Sequence, residues 1–331
     1  MKCAVVGGGA WGTALADLLA ANGHEAHLWA FERDVVTAIN ETHRNPMFLS
    51  GFTLDAKLCA HADHAAALGG ADFVIYATPS QHLREICRAG ARHVSRSAVV
   101  AVASKGIEEK TLALMSDVVE NELGGHEVVA LSGPSFAAEV AARQPTAVVA
   151  ASASADAART TQDALSNAKF RVYTHDDLIG VELGGALKNV MAVATGIVEG
   201  VGLGNNSRAA LITRGLAEMT RLGVALGARA STFAGLAGIG DLVLTCTGAL
   251  SRNRAVGVEI GQGKTLEQAL AGKATVAEGV FTTRSAWALA QQEGVEMPIV
   301  KTVHRILFEG LTARQAIPEL MARGLRAEQD A

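Results

Sequence analysis

The sequence predicts an α/β chain in two parts, an N-terminal mostly parallel sheet domain followed by an all-α helical domain, and three observations predict it. The first is the opening run. A short apolar strand at 1–6 shows no polar alternation, Gly7-x-Gly9-x-x-Gly12 follows at once, and a helical pattern then runs from Gly12 to about Asn22. The second is an alternation of apolar runs with helix-length segments. Residues 25–29, 73–77, 98–103, 128–131 and 146–151 read as strands, and strands spaced by helices predict a parallel sheet covered on both faces, with right-handed crossovers. The third is a change of character near residue 174, after which helical periodicity fills 178–200, 207–227, 231–238, 252–262, 265–273, 278–293, 298–309 and 312–320. The two domains are therefore 1–177 and 178–331.

The first strand must be buried on both faces, because it lacks polar alternation. The glycines that follow make the element a Rossmann-type dinucleotide-binding turn. Gly7 allows the tight turn, Gly9 lets backbone approach a pyrophosphate, and Gly12 lets helix and strand pack closely. A pyrophosphate would sit at the helix N-terminus, where free N–H groups and the helix dipole favour anions. Residues 31–60 read as helix then loop, broken at Asn45-Pro46, and the Ala/Ser-rich patch at 150–158 reads as loop and helix start. Thr174 and Asp177 have the spacing of a helix capping box. In the helical half, Gly184, Gly185, Gly196, Gly200, Gly202 and Gly204 are unfavourable by roughly 1 kcal/mol each within a helix. Close approach of substrate, of a crossing helix or of a nicotinamide would each explain them. Asn205-Asn206 reads as the end of that helix. The expected cleft lies at the carboxyl ends of the strands, closed by the second domain.

Composition narrows the function. The chain has 331 residues, 49% apolar and only 4% aromatic, with 35 glycines, which suits closely packed Ala-rich helices. A net charge of −4 argues against nucleic acid held on a broad basic face. Cys3, Cys59, Cys87 and Cys246 have no metal-ligand spacing, so no metal site and reduced, mostly buried thiols are expected. The N-terminus lacks a basic region and cleavage site, and Lys188 and Glu199 interrupt the best candidate membrane span. A soluble cytoplasmic protein without membrane insertion is expected.

The cofactor preference is read where the second strand ends. Phe31-Glu32 lies about twenty residues after Gly12. A carboxylate there accepts hydrogen bonds from a ribose 2′-hydroxyl and repels a 2′-phosphate, while Phe31 offers a flat face to adenine. Arg33 acts the other way, since a guanidinium pairs with phosphate. The balance favours NAD over NADP.

Several later blocks stand in one order: Ser104-Lys105-Gly106-Ile107-Glu108, Leu131-Ser132-Gly133-Pro134-Ser135-Phe136-Ala137, Glu182-Leu183-Gly184-Gly185-Ala186-Leu187-Lys188-Asn189, Gly238-Ile239-Gly240-Asp241-Leu242, Ser251-Arg252-Asn253-Arg254 and Val276-Ala277-Glu278-Gly279. Together with Trp11-Gly12-Thr13-Ala14-Leu15, these resemble the NAD(P)-dependent glycerol-3-phosphate dehydrogenases of the bacterial, soluble type, in order from residue 4 to about 310. The resemblance implies reversible reduction of dihydroxyacetone phosphate to sn-glycerol 3-phosphate, feeding glycerophospholipid synthesis, and a homodimer. It implies that Lys188 is the proton donor and acceptor. It places Lys105, Gly133, Ser135, Asp241, Ser251, Arg252 and Asn253 at the substrate, and Ala10, Trp11, Lys105, Ala137, Arg252, Val276 and Glu278 at the cofactor. Many bacterial members carry basic residues at Phe31 and Glu32, whereas NAD-linked eukaryotic relatives carry this same pair. Phe48 stands where the family often has Tyr, so stacking on a cofactor survives and a hydroxyl contact does not.

These residues suit the chemistry. Hydride delivery to a ketone leaves negative charge on the carbonyl oxygen, and a cation aimed there stabilises the transition state more than the ground state. Lys188 lies among small apolar residues of a long helix, and burial there, with a second cation in Lys105, lowers an ammonium pKa towards the working pH. A snorkelling lysine is the alternative. Asp241, in a Gly-rich turn, either orients Lys188 or caps the helix begun by Leu242. Ser251-Arg252-Asn253 offers a hydroxyl, a forked guanidinium and an amide at a helix start, the donors a phosphate needs, though the same residues also cap a helix. His82 fits a helix N-terminal or packing role better than catalysis. Two other functions share this architecture: a β-hydroxyacid or ketopantoate-type dehydrogenase, which needs a carboxylate site instead of a phosphate site, and a non-catalytic NADH sensor.

Overall fold

The computed structural model describes residues 1–272 and 277–322, with 324, 327 and 328. In its first half the chain alternates β1 (Lys2–Val6), α1 (Ala10–Ala21), β2 (Glu25–Trp29), α2 (Arg33–Thr42), β3 (Cys59–His61), α3 (His64–Leu68), β4 (Phe73–Tyr76), α4 (Leu83–Gly90), β5 (Val99–Val102), α5 (Met115–Leu123), β6 (Val128–Ser132), α6 (Ala137–Ala141), β7 (Thr146–Ala151), α7 (Ala155–Leu165) and β8 (Phe170–His175). The strands form one eight-stranded sheet in the order β3-β2-β1-β4-β5-β6-β7-β8. All neighbours are parallel except β6 and β7. The strand order reverses between β1 and β4, which is where open sheets of this kind bind ligands.

The apolar runs form the central strands as expected. Cys3 to Val6 and Phe73 to Tyr76 are fully buried, and Ala14, Leu15, Leu18 and Leu19 of α1 join Val5, Leu28 and Ile75 in the core. Two strands depart from the expectation. β3 is only three residues long at the sheet edge, too short to register as an apolar run within the expected loop. β8 alternates buried Phe170 and Val172 with exposed Arg171 and Tyr173, the signature of an edge strand, and it extends through Thr174 and His175. The capping box is therefore absent: Thr174 belongs to a strand, and the next helix begins at Leu178. Helix α1 starts at Ala10, two residues before the expected Gly12.

The chain separates into two compact units, one of 1–105 and 114–178, the other of 106–113 and 179–331. The second unit is helical: α8 (Leu178–Gly200), α9 (Asn205–Ala225), α10 (Ala230–Phe233), α11 (Asp241–Thr247), α12 (Arg252–Gly261), α13 (Leu266–Leu270), α14 (Glu278–Gln292), α15 (Pro298–Phe308) and α16 (Ala313–Met321). Asn205-Asn206 opens α9 instead of ending α8, because the break comes earlier, at Gly200 to Gly204. The expected helix at 231–238 is interrupted, and a π-helical turn at Leu236–Gly240 leads directly into α11. The excursion at 106–113 is held by the Ile107 carbonyl, which accepts from Ser285 Oγ of α14 at 3.1 Å.

Helix α8 is the core of this unit, buried continuously from Gly180 to Ile197. Its glycines at 196 and 200 answer to a crossing helix. A Cβ on Gly196 would strike the Arg254 carbonyl, and one on Gly257 would strike the Val193 carbonyl, so α8 and α12 meet backbone to backbone. Two stretches, 178–200 and 230–247, are long and apolar enough to cross a membrane, but the first is 94% buried inside the protein, as a core helix is. Cys3, Cys87 and Cys246 are buried free thiols and Cys59 is exposed.

Candidate active site

In the first unit the candidate residues gather at the carboxyl ends of β1, β4, β5 and β6, which the parallel ladders bring to one edge of the sheet. Gly7 has φ +132, and a Cβ there would lie 2.5 Å from the Ala77 carbonyl oxygen, while a Cβ on Gly12 would strike Gly7 itself. Those two glycines are required by the protein. Gly9 is not: a Cβ there meets nothing within 4 Å, so the open space beside it faces outward. Gly9 is the N-cap of α1, with no side-chain cap and no acidic residue in the first turn. The amides of Ala10, Trp11 and Gly12 precede the first helical bond, from Thr13 N to Gly9 O at 2.9 Å, and so lie free at the positive end of the helix dipole. A pyrophosphate fits this turn. Trp11 Nε1 is buried without a partner among the described residues.

Beside the turn, β2 runs out to Phe31, which is 79% exposed, and to Glu32, the N-cap of α2. An exposed aromatic ring and a carboxylate at this strand end suit an adenosine. Phe48 is half-buried, and its amide donates to Asn45 Oδ1 at 3.1 Å. Asn45 is fully buried and donates to Gly8 O at 2.9 Å and to Thr13 Oγ1 at 2.8 Å. Sequence reasoning used Asn45 only as a helix breaker; a buried amide ahead of a proline leaves no periodic signal.

Lys105, Gly133 and Ser135 form one cluster. The Gly133 carbonyl accepts from Lys105 Nζ at 2.9 Å and from Ser135 Oγ at 3.0 Å. Gly133 has φ +130, and a Cβ there would sit 3.0 Å from Val148 Cα. Ser104 Oγ donates to the Thr78 carbonyl at 2.6 Å, tying the end of β5 to that of β4. Ala137 opens α6. His82 is exposed and stands at the N-cap of α4, the helix-terminal place expected of it.

A separate cluster of candidate residues lies within the helical unit. Lys188, 7% exposed, donates from Nζ to Asp241 Oδ1 at 2.7 Å and to Thr245 Oγ1 at 2.9 Å, and Thr245 donates to Asp241 at 3.1 Å. Asp241 is 1% exposed. It is the first residue of α11, not part of a loop turn, and the π-helical segment before it sets its position. Gly184, one turn before Lys188, lets the Ala237 carbonyl of that segment come close to α8. Thr245 was not found by sequence reasoning, though its spacing of four from Asp241 puts it on the same helix face. Asn189 was missed too. Its Oδ1 accepts from Asn253 Nδ2 at 2.9 Å, and Asn253 Oδ1 accepts from Gly279 N at 3.0 Å, so one amide pair joins α8, α12 and α14.

Ser251 caps α12, accepting from Arg254 N at 3.3 Å. Arg252 opens that helix with an exposed side chain. The Glu278 carboxylate at the start of α14 acts electrostatically on its guanidinium. Arg254 is spoken for: it pairs with Glu199 Oε2 at 2.5 Å and donates to Gly248 O at 3.2 Å. That leaves Arg252 as the guanidinium of the pair with no hydrogen bond or ion pair among the described residues. Val276 lies outside the described residues. Among the described residues no cluster of His, Cys, Asp or Glu could hold a metal ion.

Comparison with known proteins shows the family. The family described as the NAD-dependent glycerol-3-phosphate dehydrogenase N-terminus matches residues 2–158, and its C-terminus matches 177–318. The glycerol-3-phosphate dehydrogenase [NAD(P)+] of Geobacter sp. (strain M21) is 53% identical over 99% of this chain and 98% of its own length. That of Trichlorobacter lovleyi is 54% identical over 99% of this chain and all of its own. The crystal structure of the Coxiella burnetii glycerol-3-phosphate dehydrogenase superposes with a TM-score of 0.94 at 42% identity, covering 97% of this chain and 99% of that one. A ketopantoate reductase from Ralstonia eutropha JMP134, covering 96% of this chain and all of its own, shares the fold alone, at 18% identity and a TM-score of 0.62. The chain belongs to the NAD-dependent glycerol-3-phosphate dehydrogenase family.

Proposed function

We propose that the protein is an oxidoreductase that interconverts dihydroxyacetone phosphate and sn-glycerol 3-phosphate with NAD(P)H. The observation that carries this reading is the buried Lys188–Asp241–Thr245 cluster within a chain of this family. When bound, the reduced nicotinamide supplies the hydride that attacks the ketone carbon. Lys188 stabilises the charge growing on the carbonyl oxygen and gives that oxygen its proton, so ketone, hydride and proton balance to the alcohol. Asp241 and Thr245 hold the ammonium in place and keep it from folding back to solvent. Arg252, with the Ser251 hydroxyl and the α12 N-terminus, takes the substrate phosphate. Lys105 and Ser135 are assigned to the substrate from their place in the motif blocks that resemble the family. The Gly7–Gly12 turn holds the cofactor pyrophosphate, Phe31 stacks on adenine and Glu32 takes the ribose hydroxyl, which favours NADH over NADPH. The division of labour is a dinucleotide-binding part at 1–177 and a substrate-binding, catalytic part at 178–331. A cytoplasmic homodimer feeding glycerophospholipid synthesis completes the reading.

The test is the absorbance of the reduced nicotinamide with dihydroxyacetone phosphate, run in parallel with NADH and NADPH. Oxidation of NADH with formation of glycerol 3-phosphate supports the reading. Turnover of a ketopantoate or β-keto acid in its place, or cofactor binding without turnover of any ketone, refutes it.

A further inference from the structure

We propose that Thr13 and Asn45 are positioning residues that fix the orientation of the Gly8–Gly9 peptide, turning its N–H towards the cofactor pyrophosphate; this rests on the glycine turn being the cofactor site. Both side chains are fully buried. The Gly8 carbonyl accepts from Asn45 Nδ2 at 2.9 Å and from Thr13 Oγ1 at 3.2 Å. The second Asn45 proton goes to Thr13 Oγ1 at 2.8 Å, so the three groups close a triangle in which each donor has one acceptor and both lone pairs of the carbonyl are used.

Two consequences follow from peptide geometry. A carbonyl oxygen left facing the turn would repel a pyrophosphate, and here it is drawn inward and satisfied. Because the peptide is planar and trans, its N–H points opposite to its C=O. Drawing the Gly8 oxygen into the core therefore turns the Gly9 N–H to the other side, and Gly9 N–H donates to no group among the described residues. It joins the free amides at the start of α1, on the side where Gly9 leaves open space. Asn45 also accepts from Phe48 N at 3.1 Å and its carbonyl from Leu49 N at 3.1 Å. The same residue thus sets the loop that carries Phe48.

The experiment measures ADP-ribose affinity by calorimetry and steady-state kinetics for Thr13→Val, Thr13→Ser and Asn45→Asp. Thr13→Val keeps the shape but removes a donor to Gly8, and Asn45→Asp keeps the acceptor for Phe48 while removing both donors. Each should weaken ADP-ribose and raise the KM for NADH by about fivefold to tenfold, the worth of one or two buried hydrogen bonds. The kcat at saturating NADH should stay within twofold, and Thr13→Ser, which restores the hydroxyl, should match wild type. Thr13→Val with wild-type ADP-ribose affinity overturns the proposal. So does a loss that Thr13→Ser shares, or one that falls on kcat instead. Wild-type protein that turns over but does not bind ADP-ribose would remove the glycine turn as the cofactor site, a different failure.

Discussion

Replacing Asp241 with Asn removes one charge and almost no volume, so it isolates what the carboxylate does for Lys188. At 2.7 Å and an effective dielectric constant of about 20, the attraction is on the order of 6 kcal/mol. Dehydration of two groups that are 7% and 1% exposed offsets much of this. What remains is the penalty for stranding one buried charge, about 3–5 kcal/mol. Thr245 and the Asn oxygen still accept from Nζ, which places the loss at the lower end, about 3 kcal/mol. At roughly 2–4 °C per kcal/mol for a domain of this size, Tm should fall by about 6–12 °C. The kcat should fall by at least about a hundredfold, because a misplaced ammonium forfeits general-acid catalysis. A second variant separates charge from shape: Lys188→Met with Asp241→Asn leaves no buried charge and should regain most of the lost Tm while staying inactive. Calorimetry and the NADH absorbance assay read both effects. An Asp241→Asn protein with wild-type Tm and kcat would refute the reasoning, and a double variant no more stable than the single one would show that an unpaired charge is not the cause.

Arg252→Ala should raise the KM for dihydroxyacetone phosphate by at least tenfold with a smaller change in kcat, since the guanidinium binds a phosphate remote from the reacting carbon; an unchanged KM in steady-state kinetics would move the anion site elsewhere. Glu32→Ser should improve kcat/KM for NADPH by removing the carboxylate that repels a 2′-phosphate, and no gain in that ratio would remove Glu32 as the discriminator. Glu122 gives a pH signature. Hydrogen bonds from Arg88, and next from Arg84, hold its carboxyl below the usual value. A folded pKa below the unfolded value of about 4.3 contributes stability that is present above that pH and lost as pH falls through the folded pKa. The Tm difference between wild type and Glu122→Gln should therefore hold from pH 8 to about 5 and shrink as pH falls below about 4.3. A difference that grows as the pH is lowered would contradict the assignment.

The parts of the fold legible in the sequence are those whose burial is one-sided or total. β1 from Cys3 onward and β4 carry unbroken apolar runs because both faces are buried, and α8 stands out as a long, mostly apolar helix despite Glu182, Lys188 and Asn189. β3 and β8 lie at the two edges of the sheet, where exposed residues such as Arg171 and Tyr173 dilute the pattern. The reversed direction of β7 against β6 leaves no local trace, since strand direction is decided by the connection and not by strand composition. The glycines at 196 and 200 signalled close approach, but only the fold shows that the partner is α12. Within the candidate site, Lys188, Asp241 and Arg252 were singled out because they stand in ordered blocks that resemble the family. Thr245, Asn189 and Asn45 were not, because neutral polar residues reveal their task only through partners distant in sequence.

The most direct measurement of the central claim is the kcat of Lys188→Ala with dihydroxyacetone phosphate, paired with its NADH affinity by fluorescence titration. The kcat should be lower by about 10²–10⁴-fold, with NADH affinity within twofold of wild type. A Lys188→Ala enzyme that keeps kcat within a few-fold would contradict the claim.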